Sequence, residues 1–325
     1  NIELGNEILI TADIESTGLY FYKTGNPETG KIDRMTEFAS VFYIKNIDGK
    51  IYPAKSNTAD QIMFQRYVNP DLENKVPKAK QVEIGKDDLG AQAITGITKK
   101  FLEGKEKHPQ WGVKIEPAKS LANFVDDFKE LMSFSSSAPE KVTTIFHNAD
   151  KFDAPFLDEE LSRESQNTKI RDFSLVVDSF PLFKELISKE QLKVISVLNK
   201  DISSTKRTLD SLVSLAKFLG SYDFTKAEAI LSKEERELLP PQNPAKTMRE
   251  NPSIREAYNR LTETKRTVHG ALVDSQLLGD ALIIVQGIYY PLQKKLGMDK
   301  VHERDNKPDQ ISNYIPVIHT EFSDN

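Results

Sequence analysis

The 325-residue chain has no cysteine. Disulfides and thiolate metal sites are therefore excluded, and the composition fits a reducing compartment, so a cytoplasmic location is expected. Long apolar runs are also missing: none approaches the roughly 18 residues of a membrane span. The opening Asn1-Ile2-Glu3-Leu4-Gly5 carries no basic stretch of the secretory kind, and no membrane contact is expected. An initiating methionine is absent too, which leaves open an upstream segment that was removed. Basic excess is lacking: 44 Lys and Arg face 49 Asp and Glu, a net charge of −5. That balance argues against a wide electrostatic grip on duplex nucleic acid, which depends on counterion release by a basic surface.

What the chain does have is acids in three separated segments, each in a distinctive local frame. The first, Asp13-Ile14-Glu15, ends an apolar run and is followed by Ser16-Thr17-Gly18-Leu19. Side chains at i and i+2 of a strand share a face, so these two carboxylates repel across one pleat, and a divalent cation turns that repulsion into a binding site. A solvated acidic edge is the plainer reading of this segment by itself. The second segment runs from Val142-Thr143-Thr144-Ile145-Phe146 through His147-Asn148 to Phe152-Asp153-Ala154-Pro155, a buried strand entering a helix. There Asp153 is either a helix cap or a ligand, and Asp150 competes with it. In the third, His269-Gly270-Ala271-Leu272-Val273-Asp274, the loop becomes an apolar helix. Asp274 has uncharged neighbours at three and four positions, Gly270, Ala271, Leu277 and Leu278, so facing inward it needs a metal or a hydrogen-bond partner. Asp280, on the same helix, reads as an ordinary surface acid. His269 suits a general base at neutral pH.

In this order and with these flanks, the motifs resemble those of the DEDDh exonucleases of the ribonuclease H-like superfamily, and among them the proofreading epsilon subunits of bacterial DNA polymerase III. The resemblance extends over roughly residues 7–286 and includes Phe64 to Pro70, Ala93 to Thr98, Val176 to Ser179 and Arg207 to Leu212. Thr95 stands where the family usually has histidine, and the second motif is one residue longer between Asn148 and Phe152. The Phe-Asp-x-x-Phe-Leu frame selects Asp153 over Asp150. Three insertions stand out, near 20–36, 99–119 (with the single tryptophan, Trp111) and 221–262, all expected around the cleft.

The resemblance implies a 3′-5′ exonuclease that hydrolyses terminal phosphodiesters of single-stranded DNA to nucleoside 5′-monophosphates with two Mg²⁺ or Mn²⁺ ions. Asp13, Glu15, Asp153 and Asp274 are then the metal ligands, with Asp13 shared between the ions, and His269 is the general base. Thr17, Gly18, Leu19, His147 and Asn148 are then substrate contacts. Such an enzyme grips only a few nucleotides at a strand end, so the net acidity is no obstacle. Lys99, Lys100, Lys206, Arg207, Lys265 and Arg266 are candidates for a local basic rim or for a solvated face. Implied partners are single-stranded DNA or RNA 3′ ends and a DNA polymerase; Gln310 to Ile315 faintly resembles a sliding-clamp-binding peptide. An RNA 3′-end-trimming exonuclease and a non-catalytic nucleic-acid or polymerase-binding module are the alternatives.

Strands are expected at Glu7–Ile14, Glu37–Lys45, Gln61–Val68, Val142–Phe146 and Ser174–Asp178, and helices at Leu121–Met132, Pro155–Glu164, Thr208–Leu219 and Gly270–Gln286. Apolar residues on both faces of 38–43 call for a sheet covered on both sides. The expected fold is α/β: a ribonuclease H-like, mixed five-stranded sheet with helices on both faces, spanning 1–286, followed by a polar C-terminal tail at 287–325.

Overall fold

Alternation along residues 7–16 sorts the first strand into two faces, and the computed structural model shows what each face meets. It describes residues 7–295 apart from 23–24, 47–48, 57, 59, 73–75, 85–90, 136–141, 166, 201, 203–207, 241–242 and 265–268. The strands are β1 (Glu7–Ser16), β2 (Met35–Lys45), β3 (Ile51–Pro53), β4 (Met63–Tyr67), β5 (Val142–Phe146) and β6 (Leu175–Asp178). The helices are α1 (Ala91–Thr95), α2 (Lys99–Leu102), α3 (Leu121–Leu131), α4 (Asp153–Glu164), α5 (Ser179–Leu186) and α6 (Lys189–Leu198). They continue with α7 (Leu209–Ser221), α8 (Phe224–Ile230), α9 (Lys233–Glu237), α10 (Pro244–Glu250), α11 (Pro252–Glu263) and α12 (Ala271–Lys295).

The sheet runs β3-β2-β1-β5-β6, with β4 also on β2. β1 pairs antiparallel with β2 and parallel with β5, which pairs parallel with β6. The expected mixed α/β class with helices on both faces is what the chain adopts, but among the described residues the sheet has six strands, not five. The extra one, β3, shares the outer edge of β2 with β4, opposite Tyr43 to Lys45, while β4 lies opposite Glu37 to Val41. Three residues are too few for a period-2 pattern to register.

Ile8, Ile10, Ala12 and Ile14 pack with Phe38, Phe42, Phe124 of α3 and Phe156 of α4 in one buried layer. Leu9 faces the opposite layer with Val41, Tyr43 and residues of α7, α11 and α12. Each large apolar side chain so buried contributes about 1.5–3 kcal/mol. Thr11, of the same parity as Leu9, donates to the Ser275 carbonyl of α12 at 2.7 Å. By parity, Asp13 and Glu15 continue the face that meets α12.

Two sequence expectations are corrected on α12. The helix continues to Lys295, so the regular structure does not dissolve at Gly287. Asp280 is not a surface acid: it is 1% exposed and accepts two hydrogen bonds from Arg260 of α11, at 2.6 and 3.1 Å. Residues Ala271–Ile288 have a mean hydropathy of 1.4, enough for a membrane span by length and composition, yet 72% of that window is buried within the fold. It is the core helix that the sheet and α7 enclose.

The three segments read from the sequence as insertions have structural roles. In the first, Arg34 is 1% exposed and pairs with Glu160 of α4 at 3.0 and 3.1 Å, while Phe21 packs on Phe152 and Phe156. The second has its own small core of Ile97, Phe101, Leu102 and Ala118. The third forms α8 to α11, whose Ala227, Leu231, Leu239, Ile254, Ala257 and Leu261 extend the α12-side core. It is thus a core layer, where the sequence led us to expect a cleft border. The polar tail beyond 295, including Gln310 to Ile315, lies outside the described residues.

Candidate active site

Ligand clefts in open α/β sheets form beyond the carboxyl ends of parallel strands. β1 and β5 are such a pair, in register from Ile8 opposite Val142 to Ala12 opposite Phe146, so the chain after Phe146 leaves beside Asp13. Asp153, the first residue of α4, is 3% exposed. The cap position belongs to Phe152, which makes no side-chain capping bond, so Asp153 is not an N-cap. Asp150 is outside the cleft, with its side chain 68% exposed and 3.9 Å from Arg171.

Four carboxylates surround Asp13. Burial, then the charges of Asp153, Glu15, Asp274 and Glu37, hold its carboxyl well above the ordinary range. Burial also pushes Asp153 up to about 8, against the lowering effect of the Ile14 backbone. Asp274 is 4% exposed on the first turn of α12, and His269 Nδ1 lies 3.2 Å from its Oδ2. Glu15, His269 and Asp274 each offer a ligand atom within 4.8 Å of the others. The structure thus brings together Asp13, Glu15, Asp153, Asp274 and His269, drawn from β1, α4 and the start of α12. A donor set of crowded carboxylate oxygens suits a divalent cation, whose charge would relieve the mutual repulsion.

Glu37 is the residue that sequence reasoning passed over. It is fully buried, lies opposite Glu15 across β1 and β2, and accepts from Gln65 Nε2 at 2.6 Å and from the Ala271 N–H at 3.2 Å. Burial pushes its carboxyl up to about 7. The signal was available: an acid of the same parity as Ala39, Val41 and Tyr43 in an otherwise buried strand.

The expected substrate contacts divide. Leu19 is 70% exposed. Thr17 Oγ1 donates to Asp33 Oδ1 at 3.0 Å and accepts from the Arg34 amide at 2.9 Å. A Cβ on Gly18 would lie 2.6 Å from the Asp33 carboxylate, so the first insertion already accounts for glycine at this position. His147 Nδ1 is 2.8 Å from Ser179 Oγ, and Asn148, at φ 67°, donates its amide to Asp178. Of the basic-rim candidates, Lys99 pairs with Asp71 and Lys100 is exposed, while 206, 207, 265 and 266 lie outside the described residues.

No protein-family model and no curated protein matches the chain. Among solved structures, the metal-free form of the E. coli ExoI–ssDNA complex aligns with a TM-score of 0.38 and 12% identity, covering 91% of this chain and 44% of that one. Cell-death related nuclease 4 (CRN-4) aligns with a TM-score of 0.32 and 15% identity, covering 90% of this chain and 64% of that one. The chain therefore spans less than two thirds of the length of either structure it resembles.

Proposed function

We propose that the chain is a divalent-metal-dependent 3′-5′ exonuclease that acts on single-stranded DNA ends and releases nucleoside 5′-monophosphates. The observation that carries this reading is the convergence of Asp153, Glu15, Asp274 and Glu37 on a single aspartate, Asp13, beside His269. A scaffold has no physical use for such mutual repulsion. Asp13, Glu15, Asp153 and Asp274 would hold two Mg²⁺ or Mn²⁺ ions. When bound, the ions supply positive charge for water activation and for the leaving oxygen of an in-line displacement.

His269, its side chain half exposed, stands at the open side of the cluster and accepts the proton from the attacking water. Leu19 offers an apolar surface to the terminal base, and the turn it belongs to is held by Asp33. The resemblance of the motif frames implies a proofreading or repair type and supports a DNA polymerase as partner.

The test is digestion of 5′-labelled single-stranded DNA and of a matched RNA, with Mg²⁺, with Mn²⁺ and with excess chelator. We expect stepwise shortening of DNA from the 3′ end in either metal and none in chelator. Preferential shortening of RNA would replace DNA by RNA as substrate, and intact oligomers under every condition would overturn the nuclease reading.

A further inference from the structure

The turn that presents His269 is gripped by the second insertion. His108 is 1% exposed, and its Nε2 lies 2.9 Å from the Thr95 carbonyl at the end of α1. Burial lowers the His108 pKa, which favours the neutral ring. The amides of Gln110 and Trp111 both aim at Nδ1, at 3.4 Å, which assigns the proton to Nε2 and makes Thr95 the acceptor. Trp111 stacks flat on this fixed ring, with centroids 4.0 Å apart and planes 10° from parallel. Phe101 meets His108 edge-on at 5.1 Å, and Tyr67 of β4 meets Phe101 at 5.0 Å, so a ladder of rings ties Trp111 to the sheet.

The far edge of Trp111 rests on Gly270. A Cβ at residue 270 would lie 2.1 Å from Cη2 and 2.4 Å from Cζ2 of the indole. The ring edge thus occupies the space a side chain would need, which accounts for glycine directly after His269. The His269 amide donates to the Ile94 carbonyl of α1 at 3.3 Å, one residue before the carbonyl that holds His108. On the inner side, Glu37 receives the Ala271 amide. Residues 269, 270 and 271 are therefore held in succession by α1, by Trp111 and by β2.

We propose that Trp111 is a positioning residue of the site, one that fixes the His269–Gly270 turn and through it the imidazole. This rests on the function proposed above. Without the indole the turn keeps its 3.3 Å hydrogen bond to α1 and the Ala271–Glu37 bond but loses the wall between them. Misplacement of a reacting group by about 1 Å costs on the order of 10²-fold in rate.

The experiment measures single-strand cleavage by the wild type, Trp111→Ala, Trp111→Phe, His269→Ala and the double variant Trp111→Ala/His269→Ala, with Gly270 Hα followed by NMR in parallel. Trp111→Ala should lower kcat about 10- to 100-fold, the cost of such misplacement, with little change in KM. Trp111→Phe should recover part of the loss, and Trp111→Ala should cost nothing further once His269 is gone. An equal additional loss in the His269→Ala background, or a wild-type rate in Trp111→Ala, would overturn the proposal. The Gly270 Hα resonance, shifted by the indole ring current, should move in Trp111→Ala while the remaining spectrum stays folded. A resonance that does not move overturns the contact itself. If the wild type cleaves nothing, the nuclease reading falls, and the NMR result alone decides whether Trp111 holds this turn.

Discussion

Glu37 of β2 accepts the backbone N–H of Ala271 at 3.2 Å, so a buried strand carboxylate anchors the first turn of the helix that carries Asp274. Glu37→Ala removes the acceptor of both this amide and Gln65 Nε2. The buried Ala271 amide left unpaired costs about 1–3 kcal/mol, while the partly buried Gln65 Nε2 keeps the Tyr67 hydroxyl at 3.1 Å. Urea denaturation should show a loss of about 2 kcal/mol or more, whereas Glu37→Gln, which keeps an acceptor oxygen, should lose less. Equal losses in the two variants would count against the anchor.

Asp13→Asn should stabilise the metal-free chain at neutral pH, because it removes the carboxyl that burial and the charges of Asp153, Glu15, Asp274 and Glu37 hold well above its ordinary range. The same variant should lose divalent-dependent cleavage. Thermal melts with and without Mg²⁺ separate the effects: wild type should gain melting temperature with Mg²⁺, and Asp13→Asn should gain little. A variant with full activity would remove Asp13 from the mechanism.

Stability should depend on pH with a definite sign. Asp153 is raised to about 8 and Glu37 to about 7, both by burial. A carboxyl raised in the folded state binds more protons there than when unfolded. The contribution of these two groups to stability is therefore fullest below the ordinary carboxylate pKa of about 4, and it is lost as pH rises through 7 and 8. Melting in chelator should decline between pH 5 and 9. Mg²⁺ should oppose the decline, since metal binding requires deprotonated carboxylates. A flat profile in chelator would contradict the raised carboxyls of Asp153 and Glu37.

His269→Ala should lose roughly 10²–10⁴-fold in cleavage rate, the range of general-base catalysis, while calorimetric titration with Mn²⁺ shows the carboxylates still binding metal. His147 is held at 2.8 Å by Ser179, so His147→Ala should cost about 1 kcal/mol of stability and much less rate. The reverse ranking of rates would exclude His269 as the base.

Arg260→Ala leaves Asp280 buried without its guanidinium partner, a change that costs about 3–5 kcal/mol in buried pairs. The lower end is expected, because the Arg260 side chain is 29% exposed. Burial already raises Asp280 to about 6 despite the pairing. The deficit should therefore be larger at pH 8, where the orphaned carboxyl tends to ionise, than at pH 5. Denaturation of both chains at the two pH values tests it, and a deficit independent of pH would count against an ionised Asp280.

The sequence by itself determined what is local. Side chains two apart on a strand share a face whatever surrounds them, so Asp13 and Glu15 could be paired from spacing alone, and apolar runs marked β1, β2 and β5 within a few residues. Helical period likewise set Asp274 among uncharged neighbours, where an inward-facing acid needs a metal or a hydrogen-bond partner. Only the tertiary structure decided what each face meets. Asp280 and Asp274 sit in the same apolar helix and differ because Arg260, brought in by α11, waits opposite one of them. Glu37 joined the cluster through the antiparallel register that sets it against Glu15, and β3 gained its place from β2 rather than from its own three residues. Trp111 meets Gly270 across 159 positions, a contact that depends on how α1, the ring ladder and α12 pack. Period and parity are properties of a short stretch of chain, whereas burial and electrostatic environment come from groups that only folding brings together.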